Sequence, residues 1–367
     1  MSSHGILCRM MLAAHINQEK CLNNHGENTP LACTRCEQAC PANAIKLGVK
    51  TIPQLDTSAC TGCTACVCVC PVDAIGHESS QPVELLQQVH RLTMQGDSTI
   101  HAACSAVCAD DADVNIPCHA MWNPILLACM AAEGVATLEL EGMSQCDTCP
   151  VRHGANVMQQ TEKDYATLNN ALGVHMVISR QIRPRQRDIQ VTTKGSVAHT
   201  EPPRRAFFRS LIPSIAQGAA MAAAQIGQAA SQSIREEIPQ ENASHLNLPV
   251  RLRLFLRALP RLQANFTPVP PMLSLPIGAI QADARCTACN QCVEQCPTQA
   301  ISIREFGANK VLEFQPDACI GCQQCIALCP EDALEHLPGI SLPAMLTQRV
   351  RPLVMVPVNT SKTAADC

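Results

Sequence analysis

Hydrophobic and polar positions follow two different periods in the middle of the chain, between residues 82 and 182. Apolar side chains recur at helical spacing in three segments, which predicts three helices. These segments are residues 82–92, 124–134 and 156–173. Short aliphatic segments alternate with them, and we expect strands there. The strand segments are residues 98–104, 113–118, 135–140 and 174–179. This alternation is typical of a small parallel α/β sheet.

Cysteine is the unusual component of the sequence. It accounts for 25 of 367 residues, about 7% and several times the ordinary share. Aromatic residues make up only 2% of the chain, so something other than an aromatic core must hold parts of the fold. The length suits about two or three domains. The net charge of −4, from 27 basic and 31 acidic residues, excludes a strongly basic nucleic-acid-binding protein.

The arrangement of the cysteines favours metal sites over disulfides. Their number is odd, they occur in tight CxxC clusters, and the sequence begins without the long apolar segment of a secretory signal. In a chain of this kind such clusters are typical of metal ligands. The longest weakly polar stretch, residues 215–230, is too short and too polar to span a bilayer. We therefore expect a soluble, cytoplasmic, metal-binding protein.

One cysteine motif occurs four times, in two pairs. Three copies have the complete form Cys-x2-Cys-x2-Cys-x3-Cys-Pro. Their cysteines are Cys60, Cys63, Cys66 and Cys70; Cys286, Cys289, Cys292 and Cys296; and Cys319, Cys322, Cys325 and Cys329. A partial copy consists of Cys33, Cys36 and Cys40, again followed by proline. Each proline precedes a similar tail, namely ANAI, VDAI, TQAI or EDAL, so the chain repeats itself.

These pairs resemble the bacterial two-cluster [4Fe–4S] ferredoxins, once over residues 20–80 and again over residues 280–340. In such a run three thiolates on a tight turn bind one cubane, and the cysteine before the proline binds the neighbouring cluster. The resemblance implies two C-terminal ligand sets. They are Cys286, Cys289, Cys292 and Cys329, and Cys319, Cys322, Cys325 and Cys296. Zinc is the alternative, but it usually takes two CxxC pairs rather than four cysteines in one run.

The N-terminal pair departs from the pattern, because Pro30 stands where the partial copy would have its first cysteine. We expect Cys21 to replace it, since the intervening segment is polar and turn-rich and can loop back. The expected ligand sets are Cys21, Cys33, Cys36 and Cys70, and Cys60, Cys63, Cys66 and Cys40. The alternatives are a [3Fe–4S] cluster with three protein ligands, or ligation by Cys8. Cys68 is expected to be a small buried residue.

The predicted sheet carries cysteines near the ends of its strands. Because the carboxyl ends of parallel strands share one edge, a fifth metal centre is expected there. Its ligands would be Cys104, Cys118, Cys146 and Cys149, with Cys108 in reserve. The order of strands and cysteines resembles the delta-subunit domain of methyl-viologen-reducing hydrogenases, which implies an iron–sulfur cluster; zinc and no metal are the alternatives. We expect Cys129 in the core and no metal binding by His101, His119 or His153.

Residues 183–280 contain no cysteine and form a predicted basic and Ala-rich linker with helices. The RRAFF string at residues 204–208 resembles a twin-arginine export signal, but such signals lie at the N-terminus. Residues 248–262 are basic and amphipathic. We expect them either to dock an acidic partner or to pack across the ferredoxin domains; membrane contact is disfavoured.

The sequence therefore predicts an α+β protein in which two dicluster ferredoxin-like domains flank a small parallel α/β domain. The expected divisions are residues 1–80, 81–182, 183–280, 281–340 and 341–367. They correspond to the N-terminal ferredoxin domain, the cysteine-rich α/β domain, the linker, the C-terminal ferredoxin domain and a tail.

Ferredoxin domains transfer single electrons, and the sequence has no GxGxxG after a strand, no P-loop and no flavin fingerprint. We expect a subunit or soluble carrier with four [4Fe–4S] clusters and, in the middle domain, a further iron–sulfur cluster or zinc. The architecture resembles polyferredoxin-like proteins encoded with molybdenum or tungsten oxidoreductases, which implies a redox enzyme of that kind, or a hydrogenase-like one, as partner. The alternatives are an enzyme subunit of heterodisulfide-reductase type and a cluster-based sensor or assembly protein.

Overall fold

The structure is a computed structural model that describes residues 13–24, 33–48, 52–77, 82–107, 109–149, 154–182, 248–347 and 350–357. All described residues belong to one compact unit. Within the described ranges, no helix has both the length and the apolar character needed to cross a bilayer. The RRAFF string, like Cys8, Cys108 and His153, lies outside the described residues.

The N-terminal region is built from very short elements. They are β1 (His15–Ile16), α1 (Arg35–Ala39), β2 (Ile45–Lys46), β3 (Gln54–Leu55), α2 (Ala65–Val69) and β4 (Ile75–Gly76). Strand β1 pairs antiparallel with β4, and β2 with β3. Both helices end at a cysteine that precedes a proline, Cys40 with ψ 107° and Cys70 with ψ 116°. A proline ring disfavours the helical conformation in the residue before it, so each cysteine leaves its helix in an extended conformation.

The middle region is the parallel α/β sheet that the sequence predicts. Its elements are α3 (Pro82–Met94), β5 (Thr99–Cys104), β6 (Val114–Ile116), α4 (Pro124–Ala132), β7 (Thr137–Glu141), α5 (Gly154–Leu172) and β8 (Val177–Ser179). The strand order is β6-β5-β7-β8, and every neighbouring pair is parallel. Strand β5 is buried from Ile100 onward, as expected for a parallel strand that is covered on both faces.

Helix α4 lies in the core of this region, with its residues from Pro124 to Met130 buried. Its first turn is capped by the Asn123 side chain, which accepts a hydrogen bond from the Leu126 N–H at 3.0 Å. Helix α6 (Val250–Ala258) packs against α4 and buries Phe255 completely. The apolar face of the basic amphipathic segment is therefore part of the core, while Arg257 is exposed.

The C-terminal region has longer strands than the N-terminal one. Its elements are β9 (Ile280–Ala282), α7 (Gln291–Glu294), β10 (Ile301–Phe306), β11 (Asn309–Phe314), α8 (Gln324–Ala327), β12 (Leu334–His336), α9 (Leu342–Leu346) and β13 (Arg351–Pro357). Strands β10 and β11 form a hairpin, and β13 pairs with β11 to complete a three-stranded antiparallel sheet. Strand β12 pairs with β9. Residues 351–357, placed in a tail by the sequence, thus extend the sheet of this region.

Candidate iron–sulfur centres

The backbone of the three complete motifs bends through left-handed conformations that L-amino acids rarely adopt. The residue after the second cysteine has a positive φ in each copy: 65° at Thr64, 75° at Asn290 and 62° at Gln323. Each such residue costs of order 1–3 kcal/mol, and such strain concentrates at functional sites. The bends turn successive cysteines of one loop toward a common point. The partial motif differs, because its Thr34 has a φ of −110°.

The cysteine before each proline is held in the same way in all four copies. Its Sγ accepts a hydrogen bond from the backbone N–H of the alanine four residues later. The four pairs are Ala44 to Cys40 at 3.2 Å, Ala74 to Cys70 at 3.1 Å, Ala300 to Cys296 at 3.2 Å and Ala333 to Cys329 at 3.3 Å. The residue before each alanine has a positive φ: Asn43, Asp73, Gln299 and Asp332. This geometry explains the repeated tail, whose alanines are all buried.

The first N-terminal set lines one cavity of about 350 Å³, together with mostly apolar neighbours. Its cysteines are Cys21, Cys33, Cys36 and Cys70. Cys21 and Cys33 come from segments separated by residues 25–32, which lie outside the described part of the chain.

Asn23 links the segment that carries Cys21 to the partial motif by hydrogen bonds. The sequence alone did not single out this residue. Its Nδ2 donates to the Cys33 carbonyl oxygen at 3.0 Å, and its Oδ1 accepts from the Cys33 N–H at 2.7 Å. The side chain is buried. The side-chain amide bonds both the N–H and the carbonyl oxygen of one residue, as a neighbouring backbone does in an antiparallel sheet. Asn23 therefore fixes the position of Cys21 relative to Cys33. Only its place two residues after Cys21, in a turn-rich segment, hinted at this function.

The second N-terminal set surrounds Cys66. Burial raises the pKa of the Cys66 thiol most, and the nearby thiolates of Cys63, Cys40, Cys68 and Cys60 raise it further. Cys68 is buried, and its Sγ donates a hydrogen bond to the Met121 carbonyl oxygen at 2.6 Å. Through this hydrogen bond the Cys68 sulfur contacts the middle region.

The two C-terminal sets line two cavities, and each motif contributes its last cysteine to the cavity of the other motif. A cavity of about 340 Å³ is lined by Cys286, Cys289, Cys292 and Cys329. A cavity of about 390 Å³ is lined by Cys296, Cys319, Cys322 and Cys325. In both cases the fourth cysteine comes from the neighbouring motif, which ties the two halves of this region together.

The middle region also brings four cysteines together at the carboxyl edge of its sheet. A cavity of about 340 Å³ is lined by Cys104, Cys118, Cys146 and Cys149. His119 lies beside it, but both ring nitrogens are engaged: Nε2 donates to the Glu141 carbonyl oxygen at 2.7 Å, and Nδ1 accepts from the Trp122 indole at 3.2 Å. Burial lowers the pKa of His119, which favours this neutral form.

Two glycines leave room for these sulfurs, and sequence reasoning did not single them out. A Cβ on Gly142 would lie 2.6 Å from the Cys104 Sγ, and the φ of Gly142 is +96°. A Cβ on Gly154 would lie 3.0 Å from the Cys118 Sγ. Gly142 directly follows β7, and a glycine at the carboxyl end of a predicted strand was the available signal.

The spacing of the sulfurs can be compared with the spacing that zinc requires. Four thiolates around zinc, with Zn–S bonds of about 2.3 Å, lie about 3.8 Å apart. In the described part of the chain, the group of three ligating side chains whose atoms lie within 4.8 Å of one another is His101, Asp111 and Glu141, and it includes no cysteine. No three sulfurs of the described cysteines therefore lie within 4.8 Å of one another, a wider spacing than in a zinc tetrahedron. The described cysteines are free thiols, and their chemistry and spacing fit an iron–sulfur cubane.

Burial makes these thiols poor acids in the absence of a cation. It raises the pKa to about 12 at Cys36, Cys118, Cys292 and Cys319. Since thiolate is the form that binds metal, loading of each site must release protons.

Comparison with known proteins identifies the ferredoxin motifs. The family described as "4Fe-4S dicluster domain" matches residues 285–333. The family described as "4Fe-4S binding domain" matches residues 53–76. No solved structure matches the chain at a significant level.

Several curated proteins are similar to parts of the chain. Hydrogenase-4 component A of Escherichia coli is 32% identical over 128 residues, which are 33% of this chain and 50% of that protein. Ferredoxin-type protein NapF of Haemophilus influenzae is 45% identical over 49 residues, 12% of this chain and 28% of the relative. The chain therefore spans half or less of the length of these two relatives.

A small ferredoxin is matched over most of its length. Ferredoxin-3 of Chlorobaculum tepidum is 47% identical over 49 residues, which are 12% of this chain and 77% of that protein. The cysteine loops, the two matching families and this relative lead to one conclusion. The chain belongs to the dicluster [4Fe–4S] ferredoxin family and is an iron–sulfur, electron-transferring protein.

Proposed function

We propose that the chain holds four [4Fe–4S] clusters and a fifth iron–sulfur centre, and that it passes single electrons to or from a larger redox enzyme as its subunit or soluble carrier. The proposed ligands are the five cysteine sets described above. Along the chain the two ferredoxin domains would precede and follow the α/β domain, as predicted from the sequence. We propose the reducing cytoplasm as the location, since it preserves free thiols.

One observation carries this proposal. Four free thiols, drawn from at least two segments of the chain, line one cavity at four different places. The cavity of the α/β domain is lined by the same number of thiols as each ferredoxin cavity. The equal number of thiols argues for the same kind of cluster in the middle region.

The residues of this chain would hold each cluster and set its potential. Bound clusters would supply one-electron redox chemistry. Hydrogen bonds to cysteine sulfur and burial are the levers by which a protein adjusts that potential. The four alanine N–H groups that donate to cysteine Sγ atoms supply the first lever. Burial of Cys36, Cys66 and Cys70 supplies the second.

The relatives support a redox enzyme as the partner. The relative from Escherichia coli is named as a component of a hydrogenase. By analogy we propose that this chain serves an oxidoreductase complex, of the hydrogenase or the molybdenum or tungsten class.

Anaerobic reconstitution with iron and sulfide tests the proposal. Four cubanes require about 16 iron per chain, and a fifth cubane raises this to about 20. Cys118→Ala should remove only the additional iron, whereas Cys322→Ala should remove a ferredoxin cluster. A preparation that stays colourless and binds zinc in preference to iron would refute the proposal.

A second candidate function is suggested by an open groove beside the fifth centre. It is lined by apolar residues and by polar ones that include Glu141, Asn156, Gln159 and Arg180. Such a groove suits an enzyme subunit of heterodisulfide-reductase type, in which a disulfide substrate would lie next to the centre. Consumption of a disulfide by the reduced, iron-loaded protein would favour this candidate, and reoxidation without such consumption would favour the carrier.

A further inference from the structure

Arg35 connects the two ferredoxin regions by hydrogen bonds. It lies in α1, between Cys33 and Cys36, on the first N-terminal loop. Its Nη1 donates to the Leu273 carbonyl oxygen at 3.1 Å, and its Nη2 donates to the Gly321 carbonyl oxygen at 3.5 Å. Gly321 belongs to the loop between Cys319 and Cys322. One guanidinium therefore spans from the loop of one cysteine set to the loop of another.

The charge of Arg35 lies close to both sets. Burial of the guanidinium lowers its pKa, and the thiolates of Cys33, Cys322 and Cys70 act in the opposite direction. Arg35 also lowers the pKa of Cys322, whose thiol is otherwise made less acidic by burial. A cation at this place reduces the cost of adding an electron to either neighbouring site, because the field of a charge is strong in a partly buried environment.

The remaining sets are neighbours through packed elements. In the N-terminal region α1, which carries Cys36, packs against α2, which carries Cys66. Cys63 and Cys118 share a buried cluster, against which Cys149 packs. In the C-terminal region α7, which carries Cys292, packs against α8, which carries Cys325. Each cysteine set thus lies beside the next.

We propose that the five sites form one unbranched series and that Arg35 is the positioning residue that joins its two ferredoxin halves. The series begins at the Cys286 set and continues through the Cys319, Cys21 and Cys60 sets to the Cys104 set in the α/β domain. The inference rests on the proposed function, since it orders centres that the proposed function assigns. An electron enters at one end of the chain of sites and leaves at the other, so a donor and an acceptor would dock at opposite ends.

The test compares four iron-loaded full-length proteins: wild type, Arg35→Met, Arg35→Lys and Arg285→Met. Arg285 is the matched control, because it also adjoins a cysteine of a motif but is exposed and bonded to Asp283 at 2.7 Å. Iron analysis first establishes that every protein is loaded. Redox titration followed by electron paramagnetic resonance then gives the potential of each cluster and the magnetic coupling between clusters.

Loss of the partly buried charge in Arg35→Met should change the one-electron equilibrium of the two inner clusters on the order of tenfold, which corresponds to about 59 mV toward lower potential. Coupling between the Cys21 and Cys319 sets should also weaken. Arg35→Lys should restore the potential but not the coupling, because an ammonium lacks the fork that reaches both carbonyl oxygens. Arg285→Met should change neither quantity.

Two results would overturn the inference. One is an Arg35→Met protein with full iron and unchanged potentials and coupling. The other, observable in the wild type even if the variant fails to fold, is the absence of magnetic coupling between the two ferredoxin halves in the fully reduced protein. Both results leave the clusters present and reducible, so they separate this inference from the proposed function, which fails only if the iron is missing or inactive.

Discussion

The two ferredoxin regions bring four thiols together in different ways. In the C-terminal region the cysteines of each cavity come from complete motifs, and left-handed residues such as Asn290 and Gln323 bend both loops. In the N-terminal region one loop lacks that bend at Thr34, and Cys21 reaches the cavity through the hydrogen bonds of Asn23 to Cys33. A local turn can thus be replaced by a contact between distant segments.

The difference extends to the scaffold. The C-terminal region has a sheet with strands of six and seven residues, β10, β11 and β13. Each N-terminal strand has two residues. Because backbone pairing and core packing there are sparse, we infer that bound clusters contribute a larger share of the N-terminal fold, as metals do in other small domains.

Removal of iron should produce the largest difference between the two ferredoxin regions. After chelation, residues 13–77 should lose most of their protection from amide hydrogen exchange, while β10, β11 and β13 should keep theirs. Hydrogen exchange with mass spectrometry, before and after chelation, measures both regions in one sample. The α/β sheet is the internal control. Equal loss of protection in the two ferredoxin regions would contradict the idea that they differ in their dependence on clusters.

Substitution of Cys21 should have the next largest effect. Cys21→Ala removes the proposed replacement ligand, so we expect a loss of about four iron per chain and of one electron paramagnetic resonance signal. Cys286→Ala, at the first position of a complete motif, should cost the same amount of iron.

Cys68→Ala is the control for the N-terminal region, since the Cys68 sulfur is bonded to the Met121 carbonyl oxygen. It should retain all iron. Unchanged iron in Cys21→Ala would point instead to three protein ligands or to Cys8.

Sequence reasoning reached the elements that depend on local pattern. The parallel sheet follows from apolar segments of two periods, and its order of helices and strands is confirmed. Cysteine spacing and the prolines behind them predicted the ferredoxin motifs, and the family matches confirm the three complete copies. The ligand sets themselves stay predictions.

Contacts between distant segments could not be predicted from one sequence. Asn23 acts ten residues away on Cys33, and Arg35 reaches Gly321 across most of the chain. Gly142 has a φ of +96°, and a Cβ there would lie 2.6 Å from the Cys104 sulfur. None of these three residues is a defining position of the cysteine motif. Each one matters because of the segment that the fold places beside it.

Removal of the Asn23 side chain should have a smaller effect than loss of Cys21. Asn23→Ala leaves the Cys33 N–H without its partner, at a cost of about 1–3 kcal/mol. The N-terminal cluster should then bleach in air about tenfold faster, because about 1.4 kcal/mol corresponds to a factor of ten. The absorbance decay of the iron-loaded protein measures this rate. Asn24→Ala, at an exposed neighbouring position, should decay like wild type, and a wild-type rate in Asn23→Ala would rule out a role for Asn23 in positioning.

The smallest expected effect is the change in stability when glycine replaces the residue after the second cysteine, in a complete motif and in the partial one. Gln323 is exposed and has a φ of 62°, a conformation that costs an L-residue roughly 1–2 kcal/mol. Gln323→Gly relieves this strain but adds freedom to the unfolded chain, so we expect a net stabilisation of about 0.5–1 kcal/mol and about two- to fivefold slower cluster loss in denaturant.

Thr34→Gly is the matched control and should instead destabilise the protein. Thr34 has a negative φ, and its Oγ1 accepts from Gln38 Nε2 at 2.8 Å, so glycine removes a contact and relieves nothing. The same sign at both positions would mean that the two loops do not differ in the strain of their turns.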